Sequence, residues 1–308
     1  MVLNKQKSDD AIFQESIQFH QSGDFDKAQK GFEYLISKYP ESSDLCNSLG
    51  TLYLQIGNDK KGCSLLEKSL QINPNQPMIS FNLGNSYLNQ KNLPKALEFY
   101  KTTIIKAPEY LEAYIKKGEL LTNLKIHNEA IDCLKCALKI APDNLQILNS
   151  IGVNLLEIGQ AKVALEYFTK CLKIDKTNAI LYNNAGLAAY KMNSFNESID
   201  YFNLCIKNAP SKGYFYSNRG LSLQALKNLK LAMEDFNKCI SLDPGYAESY
   251  WNKSLLHLFQ GDYKKGWELY EYRWQSFAKE WVRDYPKKLW LGNESIENKV
   301  IFIYPEQG

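Results

Sequence analysis

Residues 213–246, GYFYSNRGLSLQALKNLKLAMEDFNKCISLDPGY, contain one copy of the pattern that decides the fold. Small residues stand at Gly220 and Ala232, a large aromatic residue at Phe236 and a proline at Pro244. Because proline disfavours helical geometry in the residue before it, Pro244 marks the end of a helix and the turn into the next segment. The stretch is therefore predicted to form two amphipathic helices followed by a turn.

The same pattern recurs every 34 residues, which is the spacing of a repeat protein. One series consists of prolines, at Pro40, Pro74, Pro108, Pro142, Pro210 and Pro244. Lys176 occupies the slot of this series that has no proline. There we expect Asp175, Thr177 and Asn178 to form the turn, with a helix end that is less sharply defined than the others.

Small residues form two further series at the same spacing. Glycine inside a helix costs about 1 kcal/mol relative to alanine, so its recurrence predicts close contact with a partner helix. The first series is Gly50, Gly84, Gly118, Gly152, Gly186 and Gly220, with Ser16 and Ser254 in the equivalent slots of the first and last units. The second series is Ala28, Gly62, Ala96, Ala130, Ala164, Ser198, Ala232 and Gly266. Four residues after each member of the second series comes a large residue, predicted to interlock with it: Phe32, Leu66, Tyr100, Leu134, Phe168, Phe202, Phe236 and Tyr270.

Taken together, these series resemble the tetratricopeptide repeat, and the match runs from about Asp9 to Glu280. The resemblance implies an all-α solenoid, a right-handed α–α superhelix of about eight helical hairpins stacked on one another. Repeats are expected to start near residues 9, 43, 77, 111, 145, 179, 213 and 247. Residues 1–8 are expected to form an N-terminal tail, and residues 281–308 a linker with a short C-terminal strand segment.

Charge and hydropathy argue against several classes of function. The formal net charge is +3, from 37 basic and 34 acidic residues that are interspersed, so no basic block can neutralise a run of phosphates. Nucleic acid is therefore not an expected partner. No secretory signal and no apolar run of about 20 residues is found, so we expect no membrane span and a cytoplasmic location. Seven cysteines, an odd number, do not require a disulfide framework, and reduced thiols are expected.

The first helix of each repeat has one face that its packing residues leave open. At about 100° per residue, Tyr216, Gly220 and Leu223 lie on one side of the helix and Asn218 points roughly the opposite way. Carboxamides both donate and accept hydrogen bonds, which suits the main chain of an extended peptide. The slot of Asn218 therefore predicts a partner-binding groove lined by a polar column: Asn82, Lys116, Ser150, Asn184, Asn218 and Asn252.

The four asparagines of this column resemble the asparagine ladder of the O-linked N-acetylglucosamine transferase repeats, with Lys116 and Ser150 as interruptions. The alternative is that the chain is simply rich in asparagine, which surface positions of helices accept. An apolar column nearby is expected to pack between repeats, with a role in the groove as the alternative: Val153, Leu187, Leu221 and Leu255. A chaperone carboxylate clamp is poorly matched, because no consecutive units pair basic and amide residues around Lys116 or Arg219.

No catalytic or metal site is predicted within residues 1–308, and no cofactor is expected. Cys133 and Cys136 form a C-x-x-C pair, but no second pair or nearby histidine completes four zinc ligands, which leaves metal or redox chemistry as the lesser alternative. The histidines stand in no nucleophile or metal spacing, at His20, His127 and His257. Three cysteines recur at the repeat spacing and are predicted to fill tight helix contacts: Cys171, Cys205 and Cys239.

Aromatic residues predict a different role for the C-terminal end. Trp267, Tyr270, Trp274, Phe277 and Trp281 recur on what is expected to be one stripe of a helix. A terminal repeat is expected to have a polar outer face, so this stripe predicts docking against a further domain. Burial by the local tail is the alternative.

The last fifty or so residues resemble a bacterial family in which tetratricopeptide repeats precede a heptosyltransferase-like glycosyltransferase domain. The resemblance is carried by Gly261-Asp262-Tyr263, Gly266-Trp267-Glu268-Leu269-Tyr270-Glu271, Arg273-Trp274, Leu289-Trp290-Leu291-Gly292 and Glu306-Gln307-Gly308. Lys299 to Tyr304 is predicted to form the short β-strand that precedes the last motif. Pro305 departs from the family, which usually has a small non-proline residue there. The resemblance implies that residues 281–308 are a linker and the first strand of a truncated glycosyltransferase-like domain. It implies sugar transfer for a longer parent protein and assigns no catalytic residue within residues 1–308.

Two functions fit these patterns. The first is a protein-interaction module whose concave groove binds an extended peptide or a partner protein, as the recognition part of a bacterial glycosyltransferase. The second is a stand-alone adaptor or scaffold with no linked enzyme. No constellation of residues supports a third possibility, an enzyme acting alone.

Overall fold

A computed structural model describes residues 8–276 and Glu297 of the chain. Its contacts divide the chain into two compact units, Met1–Ala209 and Pro210–Gly308, which we call the first and second units. The expected tail lies outside the described residues except for Ser8, whose side chain caps the first helix. Of the expected linker and strand segment, 281–308, only Glu297 is described.

In the first unit, residues 8–209 form six helical hairpins. Each helix packs on its hairpin partner, and each second helix also packs on the first helix of the next hairpin. The helices are α1 Asp9–Ser22, α2 Phe25–Lys38, α3 Ser43–Gln55, α4 Asp59–Ile72, α5 Pro77–Asn89, α6 Leu93–Lys106, α7 Leu111–Asn123, α8 His127–Ile140, α9 Leu145–Glu157, α10 Ala161–Ile174, α11 Ala179–Lys191 and α12 Phe195–Asn208.

The second unit continues the same helical pattern over residues 210–276. Its helices are α13 Gly213–Ala225, α14 Leu229–Leu242, α15 Ala247–Phe259, α16 Tyr263–Tyr270 and α17 Arg273–Ser276. The first pair repeats the lengths seen in the first unit, whereas α16 has 8 residues and α17 has 4. The eighth hairpin is therefore the shortest one among the described residues.

A left-handed residue connects the two helices of every hairpin, at the same position in each repeat. Its φ lies between 79° and 82° where the residue is glycine, at Gly23, Gly57, Gly159 and Gly261. In the other four hairpins φ lies between 59° and 61°, at Lys91, Lys125, Asn193 and Lys227. A residue with a Cβ atom loses roughly 1 kcal/mol in this region, so these four positions hold mild backbone strain.

The small residues of the first helices lie against the large residues of the second helices. A Cβ atom added to Gly152 would lie 2.5 Å from Cε1 of Phe168, which is closer than real Cβ atoms approach. The same contact recurs between Gly84 and Tyr100, Gly118 and Leu134, Gly186 and Phe202, and Gly220 and Phe236. The close helix contact predicted from the glycine series is confirmed, and only glycine leaves room for the fully buried partner ring or leucine.

The turn that lacks a proline is closed by side chains. Oδ1 of Asp175 accepts hydrogen bonds from the backbone N–H of Thr177 at 3.0 Å and from its hydroxyl at 2.8 Å. Oδ1 of Asn178 accepts from the backbone N–H of Ile180 at 3.1 Å and so caps α11. The predicted turn residues are confirmed. The prediction of a poorly defined helix end is wrong, because α10 ends at Ile174, the same repeat position at which α8 and α12 end.

The predicted architecture needs two corrections. The described residues form seventeen helices rather than the sixteen of eight hairpins, because α16 stops at Tyr270 and a separate α17 follows. Residues 8–276 contain no strand, so the described fold is all-helical; residues 299–304, where a strand was predicted, are outside the described part of the chain. Arg273 explains the early stop, since its guanidinium donates to the carbonyl oxygen of Tyr270 at 3.1 Å and packs 4.5 Å from the centre of the Tyr270 ring.

Candidate functional site

The residues of the predicted polar column lie at one position on the first helices of six hairpins. In the first unit, all four are half-buried: Asn82 on α5, Lys116 on α7, Ser150 on α9 and Asn184 on α11. In the second unit, Asn218 on α13 is half-buried, whereas Asn252 on α15 is only 4% exposed. A half-buried side chain is held by its neighbours and still reaches solvent. Asn252 offers a ligand much less surface than the others.

In the first unit, Asn184 is joined to an asparagine of the preceding first helix. Its amide Nδ2 donates to Oδ1 of Asn149 at 2.9 Å, and Asn183 donates more weakly to Oδ1 of Asn184 at 3.4 Å. Asn149 was not predicted, although it stands directly before Ser150 in the sequence. Sequence periodicity missed it because asparagine at this slot recurs in only a few repeats. The amide surface of the first unit is therefore wider than the predicted column.

Lys116 belongs to a charged network. Its Nζ lies 3.0 Å from Oε2 of Glu119, one turn further along α7. Oε1 of Glu119 also accepts a hydrogen bond from Nε2 of Gln146 on α9, at 2.6 Å. The positive charge of Lys116 is thus paired within the protein, although a pair this exposed contributes only about 0–1 kcal/mol.

Apolar side chains lie beside the polar column. Val153 on α9 and Leu187 on α11 are half-buried, and Val153 packs against the core of the fifth hairpin. This contact agrees with the packing role predicted for the apolar column. Ile180, near the start of α11, is 57% exposed and was not singled out from the sequence. The hydrogen-bonded amides of Asn149 and Asn184, which we call the amide pair, therefore have an exposed apolar neighbour, since Ile180 lies one turn before Asn184 on α11.

In the second unit, Arg219 is fully engaged by a carboxylate. Its Nε and Nη2 donate to the two carboxylate oxygens of Asp235, at 2.8 and 2.7 Å, and Asp235 is buried. Hydrogen bonding to the Asp235 carboxylate raises the pKa of the Arg219 guanidinium. This bidentate pair joins α13 to α14 and holds Arg219 against α14.

The recurring cysteines are packing residues. Cys171, Cys205 and Cys239 are fully buried, as predicted for filler in a tight helix contact. Burial raises the pKa of the Cys171 thiol to about 11 and that of the Cys205 thiol to about 12, so these thiols stay protonated and unreactive near neutral pH.

The C-x-x-C pair does not form a common site. The Cys133 thiol is buried and donates to the carbonyl oxygen of Tyr114 at 3.4 Å, whereas Cys136 is exposed. Burial raises the pKa of Cys133 to about 11. Within residues 8–276, no group of three or more His, Cys, Asp or Glu side chains is placed to hold a metal ion. Nor is any helix in that range long and apolar enough to cross a bilayer.

The predicted aromatic stripe is split between helices. Trp267 on α16 is 59% exposed, and its ring lies 5.3 Å from that of Tyr270. Trp274 lies on α17 and contacts the guanidinium of Arg273, 4.4 Å from its ring centre. Because α16 ends at Tyr270, these residues do not share one continuous helix, which corrects that part of the prediction. Phe277 and Trp281 lie outside the described residues.

Comparison with known families agrees with this repeat architecture. The family described as Tetratricopeptide repeat matches residues 10–42, 43–76, 65–98, 111–144, 145–178, 179–212 and 213–246. These matches together span far more than half of the chain. No curated protein matches the chain significantly in sequence.

Solved structures of similar fold include YrrB, described as a TPR protein with an unusual peptide-binding site. It is 20% identical, with a TM-score of 0.53 over 61% of this chain and 97% of that chain. A tetratricopeptide repeat protein from Parabacteroides merdae is 19% identical, with a TM-score of 0.52 over 86% and 98%. PilF of Pseudomonas aeruginosa is 20% identical, with a TM-score of 0.52 over 71% and 97%. Identities this low show the fold alone. From its repeat matches, the chain belongs to the tetratricopeptide-repeat family.

Proposed function

We propose that the first-helix face of the first unit binds an extended peptide or a segment of a partner protein. The observation that carries this proposal is the amide pair of Asn149 and Asn184 next to exposed Ile180. Asn149 is half-buried, its Oδ1 accepts from Asn184, and its amide nitrogen, which makes no hydrogen bond to the described residues, is left to donate to a ligand. A peptide backbone presents carbonyl groups to such donors whatever its side chains.

The apolar neighbours supply the second part of the interaction. Ile180 can receive an apolar side chain of the peptide, which removes surface from water on both sides. Amides without apolar contacts would bind peptides weakly, because each hydrogen bond replaces one to water. The name of YrrB records a peptide-binding site in a protein of this fold, which supports the same class of ligand here.

The test is selection of binders from a library of random twelve-residue peptides, followed by affinity measurements on those recovered. We expect the double variant Asn149→Ala, Asn184→Ala to weaken binding about tenfold or more through loss of the directing hydrogen bonds. The matched control is Asn196→Ala, an exposed asparagine on the second helix α12. Equal affinities for the double variant and the control would overturn the assignment of this face. Asn218→Ala tests the second unit separately.

We further propose that this binding serves a glycosyltransferase as its recognition part. The support is the sequence resemblance that begins at Gly261-Asp262-Tyr263 and continues to Gly308. The alternative is a stand-alone adaptor or scaffold. Reading the gene downstream separates the two: a stop codon directly after Gly308 in the natural frame would remove the first version. Residues 1–308 incubated with sugar nucleotides should show no turnover, and robust transfer would contradict both versions.

A cytoplasmic location is part of the same proposal. All seven cysteines are unpaired, and the buried ones fill helix contacts that a disulfide would distort. Such a chain suits a reducing compartment. Cell fractionation with antibodies to the chain would test this, and recovery from an oxidising compartment would contradict it.

A further inference from the structure

The second helices of the first unit border a cleft that the peptide-binding proposal does not use. It lies between the C-terminal halves of the second helices α8 and α10, with α9 beneath, and has a volume of about 490 Å³. Its lining consists of Lys135, Leu138, Lys139, Pro142, Asp143, Leu148, Lys170, Lys173 and Ile174. This volume is within the range of sites that hold small ligands or a few residues of a peptide.

The cleft lies at a repeat whose slot 148 holds leucine; the first three repeats also lack tyrosine at this slot, with Ile12, Cys46 and Ser80, whereas the later repeats carry it. The slot of Leu148 holds tyrosine in the repeats before and after it, at Tyr114 and Tyr182, and again at Tyr216 and Tyr250. The Tyr182 hydroxyl donates to the carbonyl oxygen of Lys176 at 3.1 Å and so covers the preceding turn. In the second unit, the Tyr216 hydroxyl donates to the carbonyl oxygen of Pro210 in the same way, also at 3.1 Å. Leu148 is shorter and has no hydroxyl, so the turn at Pro142 is left uncovered.

The floor of the cleft is apolar. Leu148 is buried, Leu138 is half-buried, and both pack with Cys171 and Leu181 in one cluster. Ile174, the last residue of α10, is 50% exposed. An apolar side chain placed here would cover Ile174 and Leu138 and occupy the space that the tyrosine ring fills elsewhere.

The rim of the cleft is positively charged. Lys135, Lys139, Lys170 and Lys173 line it, against a single carboxylate, Asp143. None of the four lysines forms an ion pair within the described part of the chain. At the equivalent positions, the junction before it holds Lys101, Ile105, Cys136 and Lys139, and the junction after it holds Thr169, Lys173, Leu204 and Lys207. Four lysines therefore converge where the neighbouring junctions have two, and at a junction that lacks the tyrosine found in the repeats directly before and after it.

We propose that this cleft binds an acidic peptide segment, in which one large apolar side chain enters the cleft and flanking carboxylates meet the four lysines. Charge complementarity selects acidic residues, and the apolar floor selects a side chain such as leucine or phenylalanine. A nucleotide fits less well, because no aromatic ring lines the cleft and no glycine-rich loop offers backbone N–H groups. The C-terminal ends of α8 and α10 also point here, and their partial negative charge disfavours a compact phosphate more than dispersed carboxylates.

The test uses a fluorescein-labelled octapeptide with a Leu-Phe centre and three acidic residues on each side, measured by fluorescence polarisation. Leu148→Tyr restores the residue that the neighbouring repeats carry, so the fold is preserved while the cleft is filled. We expect it to weaken binding at least tenfold. The pair Lys135→Gln, Lys170→Gln should weaken binding about threefold to tenfold and reduce its dependence on salt. Lys101→Gln with Lys162→Gln is the matched control and should bind as the wild type.

Several outcomes would overturn the proposal. They are absence of binding up to 1 mM peptide, unchanged affinity of Leu148→Tyr, or equal binding of a peptide in which lysines replace the acidic residues. Binding of anionic phosphatidylserine vesicles or of a nucleoside diphosphate, lost in Leu148→Tyr while the peptide fails, would replace the peptide by that ligand. The loss of octapeptide binding caused by Leu148→Tyr should be the same in the background Asn149→Ala, Asn184→Ala, so the cleft and the first-helix face can fail independently.

Discussion

The fifth and eighth repeats share one sequence pattern but differ in how much of it becomes buried structure. In the fifth repeat, α10 has 14 residues and its large residue, Phe168, is fully buried against Gly152. In the eighth repeat, α16 has 8 residues and the equivalent Tyr270 is half-buried. The pattern of small and large residues is therefore sufficient to start a second helix, and something else sets its length.

The length of a second helix is set by the element that packs on it next in the chain. α10 packs on α11 of the next hairpin as well as on α9. After α16 the chain instead turns back, so that α17 packs on α15 and the ring of Tyr272 stacks on Tyr250 with centroids 4.2 Å apart. Since most helical stability in proteins comes from tertiary contacts, a second helix continues only as far as it has a neighbour to cover it.

We expect the largest difference in stability between the fifth and eighth repeats when the large residue of the second helix is removed. Phe168→Ala should lower the free energy of unfolding by about 3–5 kcal/mol, because a buried ring is replaced by a cavity. Tyr270→Ala should cost about 1 kcal/mol, because that ring is already partly in water. Urea unfolding followed by circular dichroism measures both. Equal losses would show that the eighth repeat is as tightly packed as the fifth.

A smaller contrast is expected at the small residue that faces it. Gly152→Ala places a Cβ atom against Phe168 and should cost about 1–3 kcal/mol through overpacking. Ser254 occupies the same slot of the eighth repeat and already carries a Cβ atom, so Ser254→Ala should cost about 1 kcal/mol or less, from its hydrogen bond to the Trp251 carbonyl. Thermal unfolding of the two variants provides the comparison, and a costlier Ser254→Ala would contradict it.

Substitutions in the turn between the two helices should cost the same stability in the fifth and eighth repeats. Gly159 and Gly261 have φ of 79° and 82°, and a Cβ atom at either position would meet no neighbour within 4 Å. Each change to alanine should therefore cost about 1 kcal/mol from the backbone conformation alone. Native-state hydrogen exchange, resolved by repeat, measures both losses. A clearly larger loss in one repeat would mean that the turns differ after all.

The smallest difference between the two repeats is expected in how acid affects the C-terminal ends of their second helices, α10 and α16. Hydrogen bonds from the backbone and hydroxyl of Thr177 lower the pKa of Asp175 below its usual 3.8, so its contribution to stability is present above that pH and fades as the pH falls through the lowered value. Asp175→Ala should remove this acid dependence and loosen the end of α10 at neutral pH, whereas Asp175→Asn should remove the dependence and keep the turn. Hydrogen exchange of residues 170–180, followed from pH 6 down to about pH 2, tests this. At the end of α16 the hydrogen bond from the Arg273 guanidinium to the Tyr270 carbonyl oxygen involves no group that changes charge in this range, so that hydrogen bond should persist.

Most of the fold could be predicted from the sequence because its determinants recur. Pro142 and Gly152 belong to series whose spacing fixes where helices start, end and touch, and these contacts are confirmed. The end of α16 could not be predicted, because it depends on Arg273, which packs on Tyr270 only once the chain has folded back. The candidate site was predicted less fully. A periodic series identifies positions such as Asn184 but passes over Asn149, whose significance is a single contact between two helices.

Leu148 also bears on where along the stack of repeats a partner chain can bind. A stack of similar hairpins offers an incoming chain many nearly equivalent places to lie, one repeat apart, and hydrogen bonds to a backbone do not distinguish them. From the fourth repeat to the eighth, Leu148 is the one residue of its slot that is not tyrosine, and it breaks that degeneracy without disturbing the helices on either side. Leu148 would thus determine the repeat at which a partner is bound, and with it the register of that partner along the stack.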